Sequence, residues 1–271
     1  MIIMDADHPD VLEFVNVKAR ENKRAKDLLK MGYDITLNGV DSESLDFQNA
    51  NNSVRVSDEF MQAVEEDREW KTRYVTNGEV CETFKARDLL RMIAEGTYFC
   101  GDPGMQFDTT INEWHTCPET DRIYASNPCS EYMFLNDSAC NLASINLMKF
   151  LREDGEFDVV AYRAAVRTLI SAQEIIVDNA SYPTEAIGRN SQAYRPLGLG
   201  YANLGALLMS LGLPYDSDGG RALAAGVTAV MRSPSMATSA RWAGPPVPSM
   251  TVPLRMIRSC ATELLLDRRP R

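Results

Sequence analysis

The first five residues, MIIMD, form a short apolar run that begins abruptly and is expected to be a buried strand. His8-Pro9 follows, and proline suits the first turn of a helix because its missing N–H would find no partner there anyway. Val11, Leu12, Val15, Leu28 and Leu29 alternate with a charged face, so the pattern predicts a helix to about Met31, stopped by Gly32. Residues 33–52 are polar and turn-rich. Residues 53–56 read as a brief strand, with Ser57 placed to cap a helix through Val64. Asn77-Gly78 separates two β-prone runs, 70–75 and 79–84, and is a strong local signal for a hairpin. Residues 86–95 have helical spacing and are expected to end at Gly96.

Farther along, residues 100–126 contain Gly, Pro and Asn without sustained periodicity, and loops of that length are usually functional or disordered. Residues 132–135 and 143–147 are candidate strands. The clearest helix is 158–180, where Val159, Val166, Leu169, Ile170, Ile176 and Val177 make an apolar stripe. A strand-like segment at 195–199 precedes a small-residue helix over 201–211, closed by Gly212. Strands alternating with helices predict an α/β domain with mostly parallel strands. Met1, Met4, Met31, Met61 and Met92 fall at positions that suit a core.

Composition narrows the classes. At 271 residues, 45% apolar and 24% charged, the chain is ordinary globular material. A net charge of -10 lacks the footprint needed to grip nucleic-acid backbone, so no DNA or RNA binding is expected and any nucleotide bound should be small. There is no apolar run of membrane-spanning length and no basic-then-apolar leader, so the expected location is cytoplasmic, away from the membrane. Cysteines at 81, 100, 117, 129, 140 and 260 are too sparse for a disulfide scaffold, and no C-x2-C pair supports zinc at Cys100, Cys117, Cys129, Cys140 and His115. One break stands out. From Arg232 onward there are seven Arg, no Lys, two acidic residues and six Pro, giving +5 against -15 for residues 1–231. The expected division is a domain over 1–231 and a divergent, poorly ordered tail over 232–271, with an interrupted reading frame near residue 231 as the sharper reading.

The densest polar constellation is ASNPCSEY at 125–132, followed by DSACNLASINL at 137–147. On an extended segment, residues two apart face the same way, so Asn127, Cys129 and Glu131 would project side by side. An amide, a thiol and a carboxylate would then share one pocket. A lone buried cysteine is more often a small hydrophobe. His115 is more often a loop histidine satisfied by its neighbours, Cys81, Cys100 and Cys117 read as core or loop thiols, and RPLGLG lacks the rest of a dinucleotide fingerprint, so close helix–strand packing is the expected reason for Gly198 and Gly200.

NPCSEYMF with DSACNLASINL resembles the active-site block of ribonucleotide reductases, most closely the adenosylcobalamin-dependent class II. DHPDVLEFV, NNSVRVSDEFMQAV, WKTRYVTNGEVCETFKARDLL, GDPGMQFDTTINEWHTCPET and RPLGLGYANLGALLMSLGLPYDSDGGRALAA resemble that class in the same order, over about residues 1–230. The resemblance implies the central part of a ten-stranded α/β barrel, incomplete at both ends. It implies adenosylcobalamin as cofactor, a ribonucleotide as substrate, and a thiyl-radical route to the 2′-deoxyribonucleotide. Cys129 would carry the radical, Glu131 would act as general base, Asn127 and Ser126 would contact the sugar, and Cys140 would be one of two cysteines that supply reducing electrons. A nucleotide effector and homodimer formation in the full-length parent, and a thioredoxin-like or glutaredoxin-like reductant, are the implied partners. Its partner cysteine, the effector loops and the phosphate-binding segment are expected outside this chain, leaving the isolated chain inactive. Two alternatives stand beside this reading: a class I large subunit served by a separate radical-generating protein, and a catalytically silent nucleotide-binding fragment.

Overall fold

The computed structural model describes residues 1–243 apart from 37 and 48, and the chain divides into two compact units, 1–136 and 137 onward. The tail expected over 232–271 lies outside the described residues from 244 on, whereas the last helix continues through Ala243.

The first unit is built on a parallel three-stranded sheet in the order β1-β2-β5, from β1 (Ile2–Asp5), β2 (Asn52–Val56) and β5 (Gly104–Phe107). Contrary to expectation β1 is not buried: it borders the sheet, and Ile2 is 48% exposed. The central strand is β2, all five of whose residues are buried. Parallel strands need crossovers, and helices supply them. α1 (Val11–Lys30) connects β1 towards β2; it ends at Lys30 with Met31 as its C-cap, as its apolar period predicts, but it begins after Asp10, so Pro9 precedes the helix and does not open it. α2 (Asp58–Glu65) follows β2, with Ser57 Oγ accepting from the Phe60 N–H at 3.3 Å. β3 (Glu69–Arg73) and β4 (Val80–Lys85) form the expected antiparallel hairpin, pairing Trp70 with Phe84.

α3 (Ala86–Cys100) departs from expectation by running straight through Gly96 to Gly101. A Cβ at residue 96 would lie 3.1 Å from the Asp102 carbonyl oxygen, 3.3 Å from Pro103 Cδ and 3.4 Å from the Val15 carbonyl oxygen. The glycine thus lets α3 approach α1 and the start of β5, and does not end the helix. Val11, Val15, Val54, Phe60, Leu89 and Ile93 meet in the core beneath these elements, and full burial of Phe60 alone is worth about 1.5–3 kcal/mol. Met4, Met61 and Met92 pack against this core, but Met1 and Met31 are exposed, so the methionine pattern overstated it.

The stretch expected to be a long loop contains β5 and the short α4 (Asp108–Glu113) before an irregular segment to residue 136. Residues 132–135 form no strand; Met133 makes only an isolated antiparallel bridge with Ser126.

The second unit pairs β6 (Asn141–Asn146) in parallel with β7 (Leu197–Ala202). α5 (Val159–Asn179) is capped by Asp158, whose Oδ1 accepts from the Ala161 N–H at 2.8 Å. Its buried face presents Tyr162, Val166, Ile170 and Val177. α6 (Glu185–Tyr194), invisible in the apolar pattern, is capped by Thr184. Arg195 then enters β7 with its guanidinium bonded to the fully buried Glu174 at 2.6 Å and to Asp178 at 2.7 Å. α7 (Leu204–Ser210) and α8 (Asp218–Ala243) complete the unit. Across the described residues the chain is mixed α/β, with three separate sheets and no closed barrel.

Candidate active site

The segment around Cys129 is a turn, not the extended strand on which the alternation argument rested. The Ser130 N–H donates to the Asn127 carbonyl at 3.0 Å, closing four residues with Pro128 second and Cys129 third. Asparagine at the first and proline at the second position favour such a turn, because the amide bonds locally and the ring presets φ. Cys129 is therefore carried at the exposed tip as a reduced thiol. Glu131 is exposed beside it and Asn127 is half-buried. The three residues share one small loop, but backbone reversal brings them together where strand alternation was expected to.

The loop is bound at several points. Its ends meet in the Ser126–Met133 bridge. Asn127 Oδ1 accepts from the Tyr132 N–H at 3.0 Å, which fixes the amide orientation and leaves its Nδ2 without a hydrogen bond among the described residues. Ser126 Oγ donates to the Asn127 carbonyl at 2.8 Å. Ser130 sits at φ +64, a left-handed conformation that costs a non-glycine residue about 1 kcal/mol or more and persists only where neighbours enforce it.

Those neighbours include two residues that the sequence reading did not single out. Gln106 on β5 is buried, and its Nε2 donates to Ser126 Oγ at 2.6 Å and to Ser130 Oγ at 3.1 Å. Behind it, its register partner Arg55 on β2 donates to Gln106 Oε1 at 3.2 Å, to Asp108 Oδ1 at 2.6 Å and to the Ile123 carbonyl at 2.5 Å. Arg122 closes the network on Asp108 Oδ2 at 2.5 Å. Burial works to raise the Asp108 pKa, but hydrogen bonds from Arg55 and Arg122 outweigh it and hold the carboxyl below its ordinary range. Asp5, at the end of β1, goes the other way: burial, with the charges of Asp7 and Asp108, raises it. The available signal was an arginine inside the apolar run SVRV, since a buried charge requires a partner.

Beside the turn opens a groove of about 440 Å³, lined by Met105, Gln106, Phe107, Trp114, Ser130 and Met133 among others. His115 borders it, with Nε2 2.8 Å from the Asp121 carbonyl and Nδ1 accepting from the Cys117 N–H at 3.3 Å. Both ring nitrogens are engaged, as expected of a loop histidine. Cys117 is buried, and Cys81 and Cys100 are half-buried.

Cys140 belongs to the second unit, immediately before β6. Its Sγ lies 3.6 Å from the Asn141 carbonyl, and a Cβ at residue 198 would come within 3.3 Å of that sulfur and 2.5 Å of Leu142 Cδ2. Gly198 is thus required by close approach of the neighbouring strand, where helix–strand packing was expected.

A family model described as the barrel domain of ribonucleotide reductase matches residues 1–250. The chain belongs to the ribonucleotide reductases. It is 54% identical over 238 residues to a vitamin B12-dependent ribonucleotide reductase of Rhodopirellula baltica, covering 87% of this chain and 23% of that protein. A relative of the same description from Streptomyces avermitilis is 50% identical over 247 residues, covering 90% and 26%. A vitamin B12-dependent ribonucleoside-diphosphate reductase of Mycobacterium tuberculosis is 31% identical over 218 residues, covering 80% and 28%. This reductase chain therefore spans about a quarter of the length of these relatives. Among its described residues no helix is long and apolar enough to cross a membrane.

Proposed function

We propose that this chain is the radical-cysteine segment of an adenosylcobalamin-dependent ribonucleotide reductase, and that it acts within the full-length protein as part of the ten-stranded α/β barrel. The observation that carries this reading is the exposed, reduced Cys129 at the tip of a braced turn, with Asn127 and Glu131 on the same loop. A thiol that must exchange a hydrogen atom with two different reactants has to be reachable, and that of Cys129 is.

Bound adenosylcobalamin would supply the homolysis that generates the initiating radical. The fit with that cofactor rests on the exposed Cys129, whose neighbour Ser130 lines the groove; cobalt is held by its own ring, so no cluster of protein ligands is required of this chain. Cys129, oxidised to a thiyl radical, would remove the 3′ hydrogen of the ribose and return it to C3′ at the end of the cycle. The Glu131 carboxylate would take the proton of the 3′-hydroxyl as general base. Asn127 divides its amide between two tasks: Oδ1 holds the loop through Tyr132, and Nδ2 is left to donate to a sugar hydroxyl. Ser126, tied to Gln106, would line the substrate side. Replacing the 2′-hydroxyl by hydrogen, with the hydroxyl leaving as water, takes two electrons and two protons in all, which Cys140 and a second cysteine outside this chain would provide by forming a disulfide, reduced again by a thioredoxin-like or glutaredoxin-like dithiol.

A nucleotide effector, a homodimer and a cytoplasmic setting belong to the same proposal. So does the division at residue 231, checked by resequencing the source DNA: an uninterrupted frame through residue 271 removes the frame-break reading. For the activity, the test is turnover of the full-length reductase. It should require adenosylcobalamin and vanish in Cys129→Ser; turnover without the cofactor would favour the class I alternative, and turnover by Cys129→Ser would remove the assignment.

A further inference from the structure

We propose that Gln106, oriented by Arg55, is a positioning residue for the radical cysteine, setting the geometry of the Cys129 turn from inside the sheet. The inference rests on the reading of Cys129 given above.

Neither residue has an obvious reason to be where it is. β2 and β5 are neighbouring parallel strands, and their paired positions 55 and 106 are 4% and 2% exposed. Burying a guanidinium and an amide side by side is costly unless every polar atom is used, and an apolar pair would fill the same space at lower cost. Here the groups are used in one direction. Arginine has only donors, so Gln106 must present its oxygen to Arg55 and its NH2 to the loop. Arg55 is itself immobilised by Asp108 and the Ile123 carbonyl. The NH2 then bonds both Ser126 and Ser130, which bracket the turn carrying Cys129. One of those two, Ser130, is the residue held at φ +64. The network thus runs from a strand core to the one strained residue adjoining the thiol, and it ends there.

The consequence is functional because hydrogen transfer is steeply sensitive to placement; displacement of a reacting group by about 1 Å can cost roughly 100-fold in rate. Rigid strands position a site more tightly than loops do. Gln106 gives the Cys129 loop such an anchor.

Gln106→Leu in the full-length reductase keeps the volume and removes both bonds to the loop. Its kcat should fall roughly 10- to 100-fold while KM for the ribonucleotide stays within about threefold. Amide exchange in the cofactor-free protein should accelerate at Ser130 and Tyr132, whose N–H groups are bonded within the loop, and stay unchanged in β2 and β5. Adding Ser130→Ala to Gln106→Leu should cost little further, because the two substitutions break the same bond. Unchanged kcat in Gln106→Leu, with Cys129→Ser inactive, would overturn the positioning role and leave the radical assignment standing. Faster exchange throughout β2 and β5, or full additivity with Ser130→Ala, would make Gln106 a structural prop and likewise overturn it. Turnover by Cys129→Ser would instead remove the reading on which the inference rests.

Discussion

At residue scale the site turns on charges and amides that have no freedom left. Asp108 receives Arg55 and Arg122 on its two oxygens, and its depressed pKa has a consequence for stability. A carboxyl whose folded pKa lies below its unfolded value contributes stability above the ordinary value of 3.8 and loses it as the pH falls through the depressed one. Exchange of β2 and β5 amides, corrected for intrinsic rates, should therefore quicken below pH ~4. Asp108→Asn should lose that acid dependence and exchange faster at neutral pH; an unaltered acid profile would show that the carboxylate contributes nothing. Asn127, Cys129, Glu131 and Cys140 were legible in the sequence as a motif. Their arrangement was not, because a period-two argument presupposes a strand and NPCS has the chemistry of a turn. Gln106 stayed hidden for a related reason, since it lies in a segment whose glycine, prolines and asparagine masked a four-residue strand.

Among the elements, those carrying a long apolar period or a local signal were legible: α1, α2, the β3–β4 hairpin and α5 all fall within a few residues of expectation. Elements decided by neighbours were not. α6 has a threonine cap but no apolar stripe, and α3 continues past Gly96 because tertiary packing overrides the local stop. This makes a paired prediction. In an exposed helix interior alanine outranks glycine by about 1 kcal/mol, so Gly226→Ala in α8, where an added Cβ meets nothing within 4 Å, should stabilise slightly. Gly96→Ala should instead destabilise by about 1–3 kcal/mol, since two of the atoms it meets are backbone oxygens of packed segments. Denaturation midpoints of the full-length variants give the comparison, and a stabilised Gly96→Ala would show that α1 and α3 are not in tight contact there.

For the whole molecule, the two units divide the proposed chemistry: the first carries the radical turn and its brace, the second carries Cys140 immediately before β6. The alternation of strands and helices was legible in the sequence, whereas the expected barrel is not seen: the described residues form three separate sheets and no closed barrel. The central claim is that Cys129, as a thiyl radical, removes the ribose 3′ hydrogen. The most direct measurement is release of label from a 3′-tritiated ribonucleotide by the full-length reductase loaded with adenosylcobalamin. Because Cys129 must return the hydrogen to C3′ in productive turnover, release should be small for the unaltered protein, larger for Cys140→Ser, whose cycle stalls for want of the reducing thiol, and absent for Cys129→Ser at equal substrate occupancy. Release by Cys129→Ser at the unaltered rate would contradict the account.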